Sequence, residues 1–111
     1  MAAPTNSQEA LERLDLVVAE LGDPAITRGR MMGRPILTYR GTMFACLNGE
    51  LLGLKLGAGT AEHTAALRIP GSELFDPGGK GRPFKDWVSL APDAAAEWPR
   101  FASDALAFVR G

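Results

Sequence analysis

Cys46 and His63 are the only cysteine and the only histidine of the chain, which makes them the first candidates for chemistry. A thiol held beside an imidazole base can act as a nucleophile. Cys46, however, lies within a predicted strand, where a cysteine usually behaves as a small apolar core residue. His63 lies in the middle of a predicted helix that nothing in the sequence places over Cys46. We therefore predict no catalytic residue, with an enzyme that uses Cys46 or His63 as an alternative.

The same two residues bear on metal ions and cofactors. One histidine and one cysteine, without the spacing of metal ligands, cannot supply the four ligands of a structural zinc site. A lone cysteine also cannot form an internal disulfide, so nothing in the chain is cross-linked for an oxidising compartment. We predict that the protein holds no metal and no cofactor.

Two glycine-containing segments look like phosphate-binding motifs. Residues 57–62 (Gly-Ala-Gly-Thr-Ala-Glu) follow a predicted strand and open a predicted helix, as a dinucleotide-binding fingerprint does. Glu62 occupies the third glycine position and would place a carboxylate beside a pyrophosphate, so a turn and a capped helix explain this segment. Residues 78–82 (Gly-Gly-Lys-Gly-Arg) lack the spacing of a P-loop and the Ser or Thr after its lysine. A weak anion site at this second segment stays open.

Basic residues are concentrated in the middle of the chain. The formal net charge is -1, from 12 Lys and Arg against 13 Asp and Glu. Residues 1–27 carry one base and five acids, residues 28–85 nine bases and four acids, and residues 86–111 two bases and four acids. A basic sheet face can attract phosphates or acidic partners, although basic residues also protect sheet edges from aggregation. The candidate binding residues are Arg28, Arg30, Arg34, Arg40, Lys80 and Arg82.

An amphipathic helix is predicted at the start of the chain. A meander of strands follows it and carries the four candidate arginines. Apolar residues recur at spacings of three and four before Gly22, which predicts a helix with Thr5 or Asn6 as its N-cap. Strands are predicted at 36–40, 43–47 and 50–56, with a further candidate at 26–32 that Gly33 and Pro35 interrupt. Gly41-Thr42 predicts a type II′ turn, and Asn48-Gly49 is a strong hairpin signal.

The second half of the chain repeats the alternation of helix and strand. A short helix over 61–67 is predicted to begin at the N-cap Thr60 and to end at Pro70-Gly71. A brief edge strand at 72–75, a loop at 76–83 and a strand at 84–90 follow. A last helix is predicted over 99–109, after a lead-in turn. The order helix–strands–helix–strands–helix predicts an α+β fold, a mostly antiparallel sheet with helices on one face. The arginines should then emerge on the opposite face or its rim.

Four segments resemble the TfoX N-terminal domain family and the neighbouring YjbR-like proteins. They are residues 31–35 (Met-Met-Gly-Arg-Pro), 41–47 (Gly-Thr-Met-Phe-Ala-Cys-Leu), 51–56 (Leu-Leu-Gly-Leu-Lys-Leu) and 81–88 (Gly-Arg-Pro-Phe-Lys-Asp-Trp-Val). The first segment lacks the aromatic residue of the family's Met-Phe-Gly turn. The resemblance implies a compact α+β domain of the secretion-chaperone-like type and a non-enzymatic, regulatory role. The matched residues Gly33, Phe44, Lys55 and Trp87 are then candidates for fold-defining positions.

The length of 111 residues and the 46% hydrophobic content predict one folded domain over residues 1–111. Residues 1–9 have neither a basic start nor the apolar run of a signal peptide, which predicts a cytoplasmic protein without a membrane partner. We expect a small binding or regulatory domain that contacts protein or nucleic acid through an Arg-rich sheet face. A homodimer that pairs this face or a sheet edge, without a ligand, is the alternative.

Overall fold

A computed structural model describes residues 3–111 of the chain. In chain order the elements are α1 (Gln8–Leu21), β1 (Ile26–Met31), β2 (Arg34–Tyr39), β3 (Thr42–Asn48), β4 (Leu51–Lys55), α2 (Ala61–Leu67), β5 (Glu73–Phe75), β6 (Phe84–Leu90), a 3₁₀ helix (Pro92–Glu97) and α3 (Trp98–Arg110). Over these residues the strands form one six-stranded antiparallel sheet in the order β1-β2-β3-β4-β6-β5. The predicted α+β class and the order of elements are confirmed. None of the helices described has the length and apolarity needed to cross a membrane.

The start of α1 is fixed to the turn between β3 and β4. Ser7 is the N-cap, because its hydroxyl accepts a hydrogen bond from the N–H of Ala10 at 3.0 Å. The prediction of Thr5 or Asn6 as the cap is therefore wrong. The side-chain amide of Asn6 instead donates to the Gly49 carbonyl at 3.0 Å, and this bond sets where the helix begins. Gly22 ends the helix with a φ of 60°, as predicted.

Glu50 binds this helix start from the β3–β4 turn. Its carboxylate accepts hydrogen bonds from the Ser7 hydroxyl at 2.8 Å and the Ser7 N–H at 3.1 Å, and the Arg13 guanidinium lies 3.5 Å away. The two hydrogen bonds from Ser7, followed by the charge of Arg13, lower the pKa of Glu50. A carboxyl with a lowered pKa in the folded state stabilises the fold at pH values above its unfolded pKa.

Replacement of Glu50 by glutamine is therefore expected to lower the melting temperature at pH 7. The difference from the wild type should shrink as the pH falls through the pKa of Glu50, because the protonated carboxyl loses its charge-assisted bonds. Thermal melts from pH 7 to pH 3 measure both effects. Glu12→Gln, on the exposed side of α1, is the matched control and should change little. Equal losses at pH 7 and pH 3 would contradict the ionic role of Glu50.

The hairpin turns differ from the predicted ones by one residue. Tyr39 pairs with Thr42, so the loop is Arg40-Gly41, and the positive φ of both residues (48° and 86°) makes a type I′ turn. Asn48 pairs with Leu51, so the next loop is Gly49 and Glu50. Only the first of these two has a positive φ, as a type II′ turn requires. The predicted type II′ turn at Gly41-Thr42 is therefore wrong, while the predicted meander of strands is confirmed.

Residues 26–39 form a continuous hairpin where the sequence predicted a break. Met32 and Gly33 make a two-residue turn, with φ values of 50° and 80°. Pro35 lies inside β2 opposite Arg30. Proline has no backbone N–H to donate to a neighbouring strand. It is tolerated at this position because the pairing of β2 with β3 begins only at the next residue, Ile36.

The sheet buries one face under α1 and α3, and its other face carries a smaller apolar cluster. The main core joins the helices to Leu37, Leu47, Leu52 and Leu54. A bulge in β3 turns Phe44 toward this core, since Leu37 pairs with Ala45 and Thr38 pairs with Met43. The cluster on the other face, named here the second cluster, consists of Cys46, Phe75 and Trp87, with Ile36 and Met43 packed against it.

The remaining elements agree closely with the prediction. Thr60 caps α2, since its hydroxyl accepts from the His63 N–H at 3.0 Å, and the helix covers Ala61–Leu67 as predicted. Pro99 lies in the first turn of α3. It is tolerated there because a backbone N–H at that position would have no hydrogen-bond partner within the helix. Trp98 is fully buried at the start of this helix, and its indole N–H donates to the Ala91 carbonyl at 3.1 Å.

Candidate functional site

A pocket of about 340 Å³ opens on the sheet face opposite α1 and α3. It lies between the β1–β2 turn and the loop of residues 76–83, beside the second cluster. Its volume is at the lower end of the range of about 300–1,000 Å³ for small-molecule sites. We name it the Arg34 pocket, and its lining residues are Pro4, Met31, Met32, Arg34, Cys46, Pro77, Gly78, Lys80 and Phe84.

Arg34 holds the two walls of the pocket together. Its Nε donates to the Asn48 side-chain carbonyl at 2.7 Å, and its two terminal nitrogens donate to the carbonyls of Pro77 at 3.2 Å and Met32 at 3.4 Å. All three acceptors are neutral, and among residues 3–111 no carboxylate pairs with this guanidinium. A guanidinium has five N–H donors, so two remain for another group.

Cys46 lies at the bottom of the pocket and is almost fully buried. Burial raises the pKa of its thiol to about 11, against a smaller opposing effect of the Arg34 charge. A thiol with such a pKa is protonated at neutral pH and is a poor nucleophile. Cys46 therefore contributes an apolar surface to the pocket.

Aromatic side chains support the same pocket from behind. Phe84 lines the pocket and meets the rings of Phe75 and Trp87 edge-on, at centroid distances of 5.9 and 6.3 Å. Phe75 stacks on Trp87 at 5.7 Å. A register shift between β5 and β6 brings Phe75 opposite Phe84, and the Phe75 ring lies over Gly53 in the middle of β4. The pocket wall therefore depends on the close approach of a ring to a strand that has no side chain at that position.

The loop of residues 78–82 is closed by a carboxylate of its own. Asp76 accepts from the Gly81 N–H at 2.9 Å, and its carbonyl accepts from the Gly79 N–H at 3.1 Å. Two backbone N–H groups of this segment, those of Gly79 and Gly81, are thus used within the loop, and a negative charge lies beside the second. Lys80 extends from this loop to the pocket lining and is exposed, and no ion pair involves it within residues 3–111.

The structure separates the six predicted binding residues. Arg34 and Lys80 share the pocket, while Arg28 pairs with Asp15 of α1 at 2.7 Å and so lies on the helix side of the sheet. The expectation that the arginines emerge opposite the helices is wrong for Arg28, because the acidic surface of α1 reaches this edge strand. The other three are exposed: Arg30 donates to the Gly33 carbonyl at 3.2 Å, Arg40 lies over the Tyr39 ring at 5.5 Å, and Arg82 follows the loop of residues 76–81.

His63 and the segment of residues 57–62 have structural roles. The Nε2 atom of His63 lies 2.8 Å from the Lys85 carbonyl, so this nitrogen carries the proton and donates. Among the described residues no hydrogen bond joins His63 to Cys46. The Asp86 carboxylate accepts from the Ala58 N–H at 2.9 Å, which uses a donor that a dinucleotide phosphate would need.

The sequence pattern did not identify the pocket as a site. Met31 and Met32 entered only through a candidate strand and a turn of the family resemblance, Phe84 only as the start of a strand, and Pro4 only among the N-terminal residues. The meeting of these residues depends on contacts between distant segments. Over residues 3–111 no group of three or more His, Cys, Asp or Glu side chains could hold a metal ion. Comparisons of the chain with protein family models, with curated proteins and with solved structures find no match.

Proposed function

We propose that the protein is a small non-enzymatic binding domain and that the Arg34 pocket is its site. The observation that supports this function is a guanidinium with two N–H groups to spare inside a largely apolar pocket. A few well-placed polar groups in an apolar concavity are typical of ligand sites. The resemblance to TfoX N-terminal domains supports a regulatory use of such binding.

The side chains around the pocket favour binding over catalysis. The thiol of Cys46 is protonated and buried, and His63 is engaged with the Lys85 carbonyl. A nucleophile needs an adjacent base or a lowered pKa; the pKa of Cys46 is raised, and among residues 3–111 no base is hydrogen-bonded to its thiol. The pocket can bind and orient a ligand through Arg34 and Lys80.

Contact with nucleic acid or an acidic protein is the second candidate function. The exposed Arg30, Arg40 and Arg82 favour it, since none of them pairs with a carboxylate within residues 3–111. These three lie on different elements, Arg30 in β1, Arg40 in the β2–β3 turn and Arg82 in the loop before β6, and none of them lines the pocket. Binding of this kind would weaken steeply with salt, because it releases counterions from the polyanion.

Replacement of Gly78 by phenylalanine is expected to abolish binding at the pocket. Gly78 lines the pocket, and a β-carbon there would lie 4.0 Å from the nearest atom, Cγ of Lys80, so a side chain is tolerated. The measurement is a series of amide NMR spectra with a small-molecule fragment set and with short DNA and RNA strands at low salt. In the wild type, signals of Met31, Met32 and Gly78 should shift with one class of ligand, and in the Gly78→Phe variant those of Met31 and Met32 should not.

Gly78→Ala is the matched control, since it changes the same backbone position without filling the pocket, and it should retain the wild-type shifts. Shifts that persist in the phenylalanine variant would place binding elsewhere on the molecule. Salt-dependent shifts with DNA or RNA, centred on Arg30, Arg40 and Arg82, would favour the second candidate. No shift with any ligand would contradict both.

A further inference from the structure

We infer that the Arg34 pocket binds a small monocarboxylate with an apolar body, such as a short acyl or arylalkyl acid. This inference deepens the proposed function and rests on it. The ligand class follows from the charge, the donors and the size of the pocket, taken in turn.

The charge of the pocket selects an anion. Arg34 and Lys80 are both cationic, and no carboxylate lies among the lining residues. The three hydrogen bonds of Arg34 go to neutral oxygens, which leaves its positive charge without a counter-charge within residues 3–111. A partly buried cation of this kind favours a bound anion, because solvent screens such a pair less than it screens pairs on an open surface.

The number of free donors favours a carboxylate over a phosphate. Two N–H groups of Arg34 remain, one on each terminal nitrogen, and two donors can bond the two oxygens of a carboxylate. A phosphate needs more donors, and the nearby Gly81 N–H is already bonded to Asp76 at 2.9 Å.

The rest of the pocket requires an apolar ligand body. Its remaining walls are thioether, thiol, proline and aromatic surfaces, contributed by Pro4, Met31, Met32, Cys46, Pro77 and Phe84. Methionine side chains adapt to the shape of a bound apolar group, and Met32 is 81% exposed at the rim. With a volume of about 340 Å³, the pocket takes a single small molecule rather than a long chain.

The test is an NMR titration of the isotope-labelled protein with matched probes. 3-Phenylpropionate is compared with its uncharged amide, with acetate, which has no apolar body, and with inorganic phosphate. The signals followed are the amides of Met32 and Gly78 and the side-chain Nε–H of Arg34. We expect the acid to bind at least roughly tenfold more tightly than each of the other three, since hydrogen bonds to a charged group are the stronger ones.

Two variants connect this affinity to the cations. Arg34→Lys keeps the charge and loses the paired donors, and we expect roughly tenfold weaker binding of 3-phenylpropionate or more. Because Arg34 also holds Met32 and Pro77, Lys80→Met is the second variant. Within residues 3–111 no ion pair involves Lys80, and we expect this variant to bind about two- to fivefold more weakly. Arg68→Met, an exposed cation at the end of α2 and outside the pocket lining, is the control and should bind as the wild type does.

The two proposals fail on different results. The carboxylate inference is overturned if the amide or phosphate binds as tightly as 3-phenylpropionate. It is also overturned if Arg34→Lys and Lys80→Met both bind 3-phenylpropionate as the wild type does. A ligand of another class that shifts the pocket signals, with the shift blocked in Gly78→Phe, would also overturn the carboxylate inference. The proposed function would stand in that case. If no probe of any class shifts these signals, the proposed function itself is overturned.

Discussion

Replacement of Trp98 by alanine is expected to lower the free energy of unfolding by about 3–5 kcal/mol, the largest effect of any single substitution considered. Trp98 is fully buried at the start of α3, against the helix-covered face of the sheet. Its removal would leave a cavity in a core of close-packed side chains and would leave the Ala91 carbonyl without its indole donor. Urea unfolding followed by circular dichroism measures the difference.

Leu16→Ala is the control for this measurement. Leu16 is also an apolar helical residue, but it is 62% exposed, and surface substitutions usually change stability by less than about 0.5 kcal/mol. Trp98→Phe separates the two causes, because it retains most of the apolar volume and removes only the hydrogen bond. A Trp98→Ala variant about as stable as Leu16→Ala would contradict the packing described for α3.

Replacement of Gly53 by alanine is expected to destabilise the fold by about 1–3 kcal/mol and to disturb the Arg34 pocket. A β-carbon at Gly53 would lie 2.6–2.8 Å from three ring carbons of Phe75, closer than van der Waals contact allows. The Phe75 ring cannot move freely, because it is buried and stacked on Trp87. Its displacement would also move Phe84, which lines the pocket, so binding of 3-phenylpropionate should weaken together with stability.

Gly29→Ala is the matched control, a glycine of β1 at which the new β-carbon would meet Ile36 at an ordinary 3.7 Å. It should be neutral or slightly stabilising, since glycine inside a strand costs about 0.5–1 kcal/mol relative to alanine. In the Gly53→Ala background, Phe75→Leu should cost less than it does alone, because the smaller side chain relieves the overlap. Additive effects of these two substitutions would contradict the contact between Gly53 and Phe75.

The local chemistry of the sequence predicted the elements well and their mutual contacts poorly. Strand β6 and the cap at Thr60 follow from composition and turn signals that act over a few residues. The one-residue shift at Arg40-Gly41 could not be predicted, because Gly41 satisfies either turn type until the pairing of Tyr39 with Thr42 fixes the register. The N-cap was misplaced for a similar reason, since Asn6 is engaged by a turn 43 residues away.

The candidate site was predicted only in part, because its residues also meet through contacts between distant parts of the sequence. Arg34 and Lys80 were recognised as basic residues free to bind, but their charge alone did not distinguish them from Arg28, which α1 neutralises through Asp15. The apolar walls of the pocket could not be predicted from the sequence, because their residues come from a turn, from the centre of a strand and from a loop. The register shift that pairs Phe75 with Phe84 and the contact of the Phe75 ring with Gly53 leave no local signal, since both depend on strands that are distant in sequence.

The sheet order has a consequence for how the pocket comes to exist during folding. Strands β1 to β4 are joined by two-residue loops, whereas β4 pairs with β6 only after the 28 residues from 56 to 83 have closed a loop. The entropic free-energy cost of closing that loop is about 2 kcal/mol greater than the cost of closing a two-residue loop, because this cost rises with the logarithm of loop length. The far wall of the pocket, at Pro77 and Phe84, belongs to the late closure, and the Arg34 wall belongs to the early hairpins. A chain arrested after its local contacts would therefore present the guanidinium on an unfinished sheet, without an enclosure around it.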